Sequence, residues 1–348
     1  MLAKRLLLMG LMALALIVAC ATAPPEEETT SAAKPATHTF EEVAPGVYFA
    51  QGTGEVNVGS NSMVVVNDED VLVVDSHITP DAARELVVAI TRITDKPIKT
   101  LVNTHFHYDH ANGNQVFGDG IEIIGHEYTR QKLLTDVLSE PTYVLQGSVE
   151  ALTPRLEAME AQLAAAEGDA RTDLEKSVAV MRRHISAQSE VVLTAPQRTL
   201  TDSLTLEKGS RTIELHFLGR GHTAGDVVIY MPAEKVIYTG DLFYDGAPYL
   251  ADGFPLEFIE TLDKLKEFDA ELILGGHGGV TRDKLRIDAR QEYLRDFWAQ
   301  AKTSHDAGLS SADAFAKLDL EKHGFGSGRP AIRQLEIERM YHLMDGGE

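Results

Sequence analysis

Four ligand-type side chains fall within six residues of the tract Thr104-His105-Phe106-His107-Tyr108-Asp109-His110. Imidazole together with carboxylate is the donor set of zinc, iron or manganese sites. The tract follows an apolar run over residues 98–102 that reads as a strand. In extended backbone, residues two apart point to the same side, so His105 and His107 can converge on one cation. Asp109 and His110 then face a second position. Two cations held a few ångströms apart would lower the pKa of a shared water from 15.7 toward about 7, which makes a nucleophile at neutral pH. Asp109 is the candidate to hold or relay the proton of that water.

The elements that must position this tract can be read from periodicity. Apolar, β-branched runs at 47–50, 62–66 and 71–74, the last two separated by Asn67-Asp68-Glu69-Asp70, predict an antiparallel meander. Apolar residues at three- and four-residue spacing predict a helix over 80–94, which feeds the strand at 98–102. A short strand at 121–124 and a helix from Glu127 follow. Strand signals return at 204–206, 213–217, 227–231 and 236–238, then a helix over 256–268 and a strand at 272–274. Each half gives strands first, then a helix and a strand. That order predicts an α/β fold in which two sheets form a sandwich with helices outside. Residues 143–190 interrupt it with two amphipathic runs divided at Gly168-Asp169, the pattern of a helical-hairpin insertion. Its apolar stripes could pack on the domain or on a second copy, giving a homodimer, or cap the site. From Lys284 onward the chain is mostly helical, broken at 324–330.

HFHYDH at 105–110 resembles the HxHxDH motif of the metallo-β-lactamase superfamily. Three further tracts fit that family in order: Gly221-His222-Thr223-Ala224-Gly225-Asp226, Tyr238-Thr239-Gly240-Asp241-Leu242, and Leu274-Gly275-Gly276-His277-Gly278. The resemblance spans about residues 40–290 and implies an αββα sandwich of two mixed sheets, with two metals, zinc by preference, at one edge. It implies His105, His107 and His222 at the first metal, Asp109, His110 and His277 at the second, and Asp241 between them. Asp75 stands where family members carry an aspartate that supports the metal loop, so it is expected to orient a ligand. Tyr108, Asn112, Phe243, Tyr244 and Tyr249 lie near ligands in sequence and are expected to line a substrate pocket. The loop over 51–60 is expected to overhang it. His126, His184, His216, His305, His323 and His342 read as structural or surface residues.

These features point to a hydrolase of small-molecule ester, thioester, amide or lactam bonds. Asp241 in its Thr-Gly-Asp setting resembles esterase-type and thioesterase-type members more than β-lactamases, and admits iron or manganese. Two alternatives stand beside this: a one-iron persulfide dioxygenase, and a non-catalytic periplasmic binding or relay protein.

Composition narrows the partners. The 348 residues are 44% apolar and carry a formal charge of −21, which opposes a nucleic-acid surface built on clustered Lys and Arg. Lys4 and Arg5 precede an apolar run over 6–19, which fits a signal peptide at 1–19. Ile17-Val18-Ala19-Cys20 resembles the lipobox of bacterial lipoproteins, which implies an exported protein anchored by lipid on Cys20, in the outer membrane and facing the periplasm. Residues 20–39 then read as a flexible tether, 40–290 as the hydrolase domain and 291–348 as a helical extension. Cys20 is the only cysteine, so the remaining chain offers metals nitrogen and oxygen alone.

Overall fold

In the computed structural model, residues 35–325 and 329–348 are described. The expected signal peptide, Cys20 and most of the tether lie outside them. Among the described residues no helix is long and apolar enough to cross a membrane.

Seven strands form the first sheet in sequential order: β1 (His38–Ala44), β2 (Val47–Gly52), β3 (Ser62–Val66), β4 (Val71–Val74), β5 (Ile98–Val102), β6 (Glu122–His126) and β7 (Arg198–Leu200). The first four pair antiparallel and the last three run parallel to β4. The second sheet holds β8 (Ser203–Lys208), β9 (Arg211–Phe217), β10 (Val227–Met231), β11 (Val236–Tyr238) and β12 (Leu272–Leu274), with only β11 and β12 parallel. Both sheets are mixed, as expected.

Side chains alternate across each strand, and both faces of the central strands are apolar. Leu72 and Val74 pack inward with Phe49, Val102 and Ile124 against Leu215, Ile229, Met231 and Tyr238 of the other sheet. Val71 and Val73 face outward, onto Ala83, Leu86 and Ile90 of helix α1 (Pro80–Ile90). Val228 and Tyr230 likewise face outward, into the cluster built by the later helices.

Helices α2 (Tyr108–Ala111), α3 (Glu127–Leu133) and α4 (Pro141–Gln146) follow the first parallel strands. The hairpin is α5 (Val149–Ala165) and α6 (Gly168–Gln188), beside α1. Arg183 of α6 clamps Asp81 and Glu85 of α1 at 2.6 Å each. Outside the second sheet lie α7 (Pro255–Lys266), α8 (Leu285–Asp306), α9 (Ser311–Phe315) and α10 (Pro330–Met344). Phe258, Leu262, Tyr293, Phe297, Ile337 and Met340 from these helices join one core with the sheet. The C-terminal helices therefore share the core on the outer face of the second sheet, and residues 36–348 make one compact unit.

Candidate metal centre

Beyond Val102, the end of β5, the chain bends at Thr104 and His105 and then closes one helical turn, in which His110 and Ala111 both donate backbone N–H to the His107 carbonyl at 3.0 Å. Phe106 points away, into a cluster with Leu133 and Val137, while His105 and His107 turn the other way. The turn then swings Asp109 and His110 toward the same point. His222 comes from the loop after β9, which Asp226 shapes by accepting from Thr223 N at 2.8 Å. Asp241 follows β11, and His277 follows β12. Gly276 is required by contact, because a Cβ there would stand 2.3 Å from Asp241 Oδ1.

The seven residues meet as overlapping donor groups: His105, His107 and His222; His105, His110 and Asp241; Asp109, His110 and His277. Asp241 Oδ2 is 3.2 Å from His277 Nε2 and 3.7 Å from His222 Nε2, so its carboxylate stands between the two triads. Three buried atoms aimed into this cluster, His105 Nε2, His110 Nε2 and Asp241 Oδ1, find no hydrogen-bond partner among the described residues. Buried polar atoms are ordinarily paired, and leaving one unpaired costs about 1–3 kcal/mol. Donors of this type, converging and unpaired, fit divalent cations.

Outside the cluster, the other ring nitrogen of four imidazoles has a partner, which fixes tautomer and orientation. His105 Nδ1 meets Thr104 Oγ1 at 3.0 Å, and His107 Nε2 donates to Asp252 Oδ2 at 3.0 Å. His110 Nδ1 donates to Asp75 Oδ2 at 2.8 Å, and His222 Nδ1 donates to the Tyr249 carbonyl at 3.1 Å. Asp75 also accepts from Thr104 N at 2.8 Å. It has φ of 62°, a left-handed conformation that costs a non-glycine residue about 1–3 kcal/mol and persists only where surroundings hold it. Replacement of Asp75 by Asn is expected to weaken zinc binding about 10–100-fold, measured by competition with a chromogenic chelator; unaltered affinity would remove its orienting role.

Charge in the cluster is divided. Burial would lower His110, yet Asp109, Asp241 and Asp75 hold it well above the usual histidine range. His277 is likewise raised to about 10, against its burial, by Asp241 and Asp109. Burial and neighbouring imidazoles push His105 well down and His222 down to about 3. Burial would raise the two carboxylates, but His110 and His277 bring Asp109 down to about 2 and hold Asp241 well below its ordinary value.

Above the donors opens a cleft of about 310 Å³. Tyr108, Tyr244 and Tyr249 line it. Phe243 and Asn112 do not. Phe243 is packed into the outer-helix core with the Arg290 guanidinium over its ring, and Asn112 is buried at the end of the α2 turn. The 51–60 loop does not line the cleft either; its last residue, Ser60, donates to the Asp109 carbonyl at 2.7 Å and so braces a donor. Nor do the hairpin helices α5 and α6. Thr142 and Gln146 of α4, with Arg329 and Ile332 at the start of α10, form that wall instead. These four, and Asp252, carry no ligand spacing or motif by which the sequence could reveal them. The six histidines read as structural lie outside the donor groups; His126, for example, caps α3 by accepting from Tyr128 N.

Residues 56–277 match the family model of the metallo-beta-lactamase superfamily. The chain belongs to this superfamily. A linear primary-alkylsulfatase from a Pseudomonas species is 25% identical over 272 residues, 73% of this chain and 49% of its own length. The chain thus spans about half of that relative. A type 2 metallo-beta-lactamase from Bacteroides fragilis is 23% identical over 238 residues, 67% of this chain and 74% of the relative. The solved metallo-beta-lactamase from Pontibacter korlensis superposes with a TM-score of 0.52 at 18% identity, covering 74% of this chain and 99% of that one. That likeness establishes the fold. Fold alone leaves the chemistry open within so varied a superfamily.

Proposed function

We propose that the chain is a metal-dependent hydrolase that cleaves an ester, thioester, amide or lactam bond of a small molecule. The observation that carries this reading is the pair of His/Asp donor groups around Asp241, at the floor of a cleft open to solvent. When bound, two divalent cations supply Lewis acidity, lowering the pKa of water toward about 7 and polarising the scissile bond. The chain's own residues do the rest. Asp75, Thr104, Asp252 and the Tyr249 carbonyl hold four imidazole rings in place from outside. Asp109 lines the cleft with its Oδ2 3.4 Å from His277 Nε2, a position from which a carboxylate can take the proton of an attacking water. Three tyrosine rings shape the walls and exclude water from one side of a bound molecule.

Two relatives set the range of bonds to test: the alkylsulfatase adds sulfate esters to the carbonyl compounds, and the β-lactamase keeps lactams within it. Seven donors give neither a one-iron oxidation nor a non-catalytic role an observation in its favour. Zinc-loaded protein is expected to turn over at least one of four chromogenic compounds, a cephalosporin, a lactone, a thioester or an alkyl sulfate, and to stop when a chelator is added. Absence of turnover with all four would overturn the reading.

A further inference from the structure

Helix α10 lies outside the stretch matched by the family model, yet it reaches the cleft with two side chains. Arg329, at its N-terminal cap, and Ile332, one turn on, share a helix edge and both line the cleft. The buried end of the helix is tied down. Glu336 accepts from Leu250 N at 3.2 Å, and Arg339 Nε donates to the Gly253 carbonyl at 3.0 Å. Arg333 and Glu336 pair at 2.8 Å. The loop over 249–253 that carries Tyr249 and Asp252 is thereby fixed to the same helix that carries Arg329.

Among the residues that line the cleft, Arg329 is the one Lys or Arg. Its guanidinium donates to the Gln146 side-chain oxygen and makes no ion pair with a carboxylate of the described residues. Of the other arginines nearby, Arg333 is paired with Glu336, and Arg155 donates to the Leu145 carbonyl at 3.3 Å and does not line the cleft. A guanidinium offers five N–H donors in a planar fork that matches a carboxylate, and Gln146 takes only part of that fork. The setting makes this charge matter. With a formal charge of −21, the molecule's overall field repels anions. A local cation at the cleft is what could hold one.

We propose that Arg329 binds a carboxylate on the substrate, remote from the bond that is cleaved, and so selects anionic over neutral substrates. This rests on the hydrolase reading of the same cleft. In that arrangement the scissile bond lies over the donor cluster on the floor, and the substrate's charged end reaches the wall formed by α4 and α10. Gln146 is then a positioning residue, since it holds the guanidinium rather than the ligand.

The test uses matched pairs with the zinc-loaded protein: a nitrophenyl hemiglutarate against its methyl ester, and a chromogenic cephalosporin against its carboxylate methyl ester. The readout is the ratio of KM for the neutral member to KM for the anionic member. Wild-type protein is expected to favour the anion. Arg329→Gln is expected to lower that ratio about tenfold, the loss of a charge-assisted hydrogen bond, and Arg329→Lys to keep a larger part of it than Gln does. A ratio unmoved by Arg329→Gln would overturn the proposal, including the case where both members lose activity alike because Arg329 only braces α4. Wild-type protein that cleaves one pair without preferring the anion would overturn it while leaving the hydrolase reading intact. Wild-type protein inert toward both pairs and toward the four compounds above would overturn the hydrolase reading itself.

Discussion

Asp241→Asn is expected to reduce hydrolysis at least about 100-fold and to lower the zinc content from two ions per chain toward one. The magnitude follows from the residue's place. Removing an outer partner of a metal ligand already costs about 10–100-fold in affinity or activity, and Asp241 is in direct contact with both triads. Its Oδ1 is buried without a geometrically formed hydrogen bond, 3.4 Å from His110 Nε2, and its Oδ2 lies near His277 and His222. An amide keeps the shape but removes the negative charge and turns N–H donors toward ring nitrogens that must be left free for a cation. Steady-state rates and elemental analysis of the same preparation check both halves, with circular dichroism to show that the fold is kept. A variant that retains two zinc ions and a rate within tenfold of wild type would remove Asp241 from the centre.

Zinc affinity is expected to climb about 100-fold per pH unit across the neutral range. Metal ligation needs neutral imidazole, so any proton held on a donor must leave when the metal enters. His110 is held well above its ordinary range, and His277 is raised to about 10, so both carry protons at neutral pH in the metal-free protein. Two protons leaving give a slope of two in log affinity against pH. Calorimetric titration with zinc in buffers of different ionisation enthalpy would count the protons, and a count near zero would contradict the charge arrangement. The same groups set the stability of the metal-free protein. A histidine raised from 6.5 to about 10 contributes stability that is complete below 6.5 and lost as pH rises through 10. Asp109, lowered from 3.8 to about 2, contributes stability present above 3.8 and lost as pH falls through 2. From these two groups, metal-free protein is most resistant to unfolding between about pH 4 and 6.5. Added zinc is expected to reverse the alkaline side of that trend, because a bound cation would take over the attraction the protons supplied.

Local pattern made the core of the centre legible. His105 and His107 stand two apart just beyond the end of β5, and both rings enter one donor group while Phe106 between them packs the other way. The continuous apolar run Val71, Leu72, Val73, Val74 likewise announces a strand, and it supplies both the α1 core and the core between sheets. Asp75 was legible through the family resemblance, which places a supporting aspartate directly after that strand. Phe243 and Asn112 mark where nearness in sequence misleads. Each sits next to donors along the chain, but strand and turn geometry send one into the outer-helix core and the other behind α2.

What the sequence determined by itself was therefore the clustering of His105, His107, Asp109 and His110 just beyond a strand, a local property, while His222, Asp241 and His277 were implied by the resemblance of their tracts. The cleft was decided only by tertiary structure. Asp252 reaches His107 across 145 residues, and Arg329 reaches Gln146 across 183. Such contacts depend on how α10 and the loop over 249–253 share a core and how α4 comes to lie beside them, and no periodicity along a chain records which surfaces will meet. The donors that could hold a metal are written in the residues; the walls that would choose a substrate arise from burying apolar faces of helices far apart in sequence.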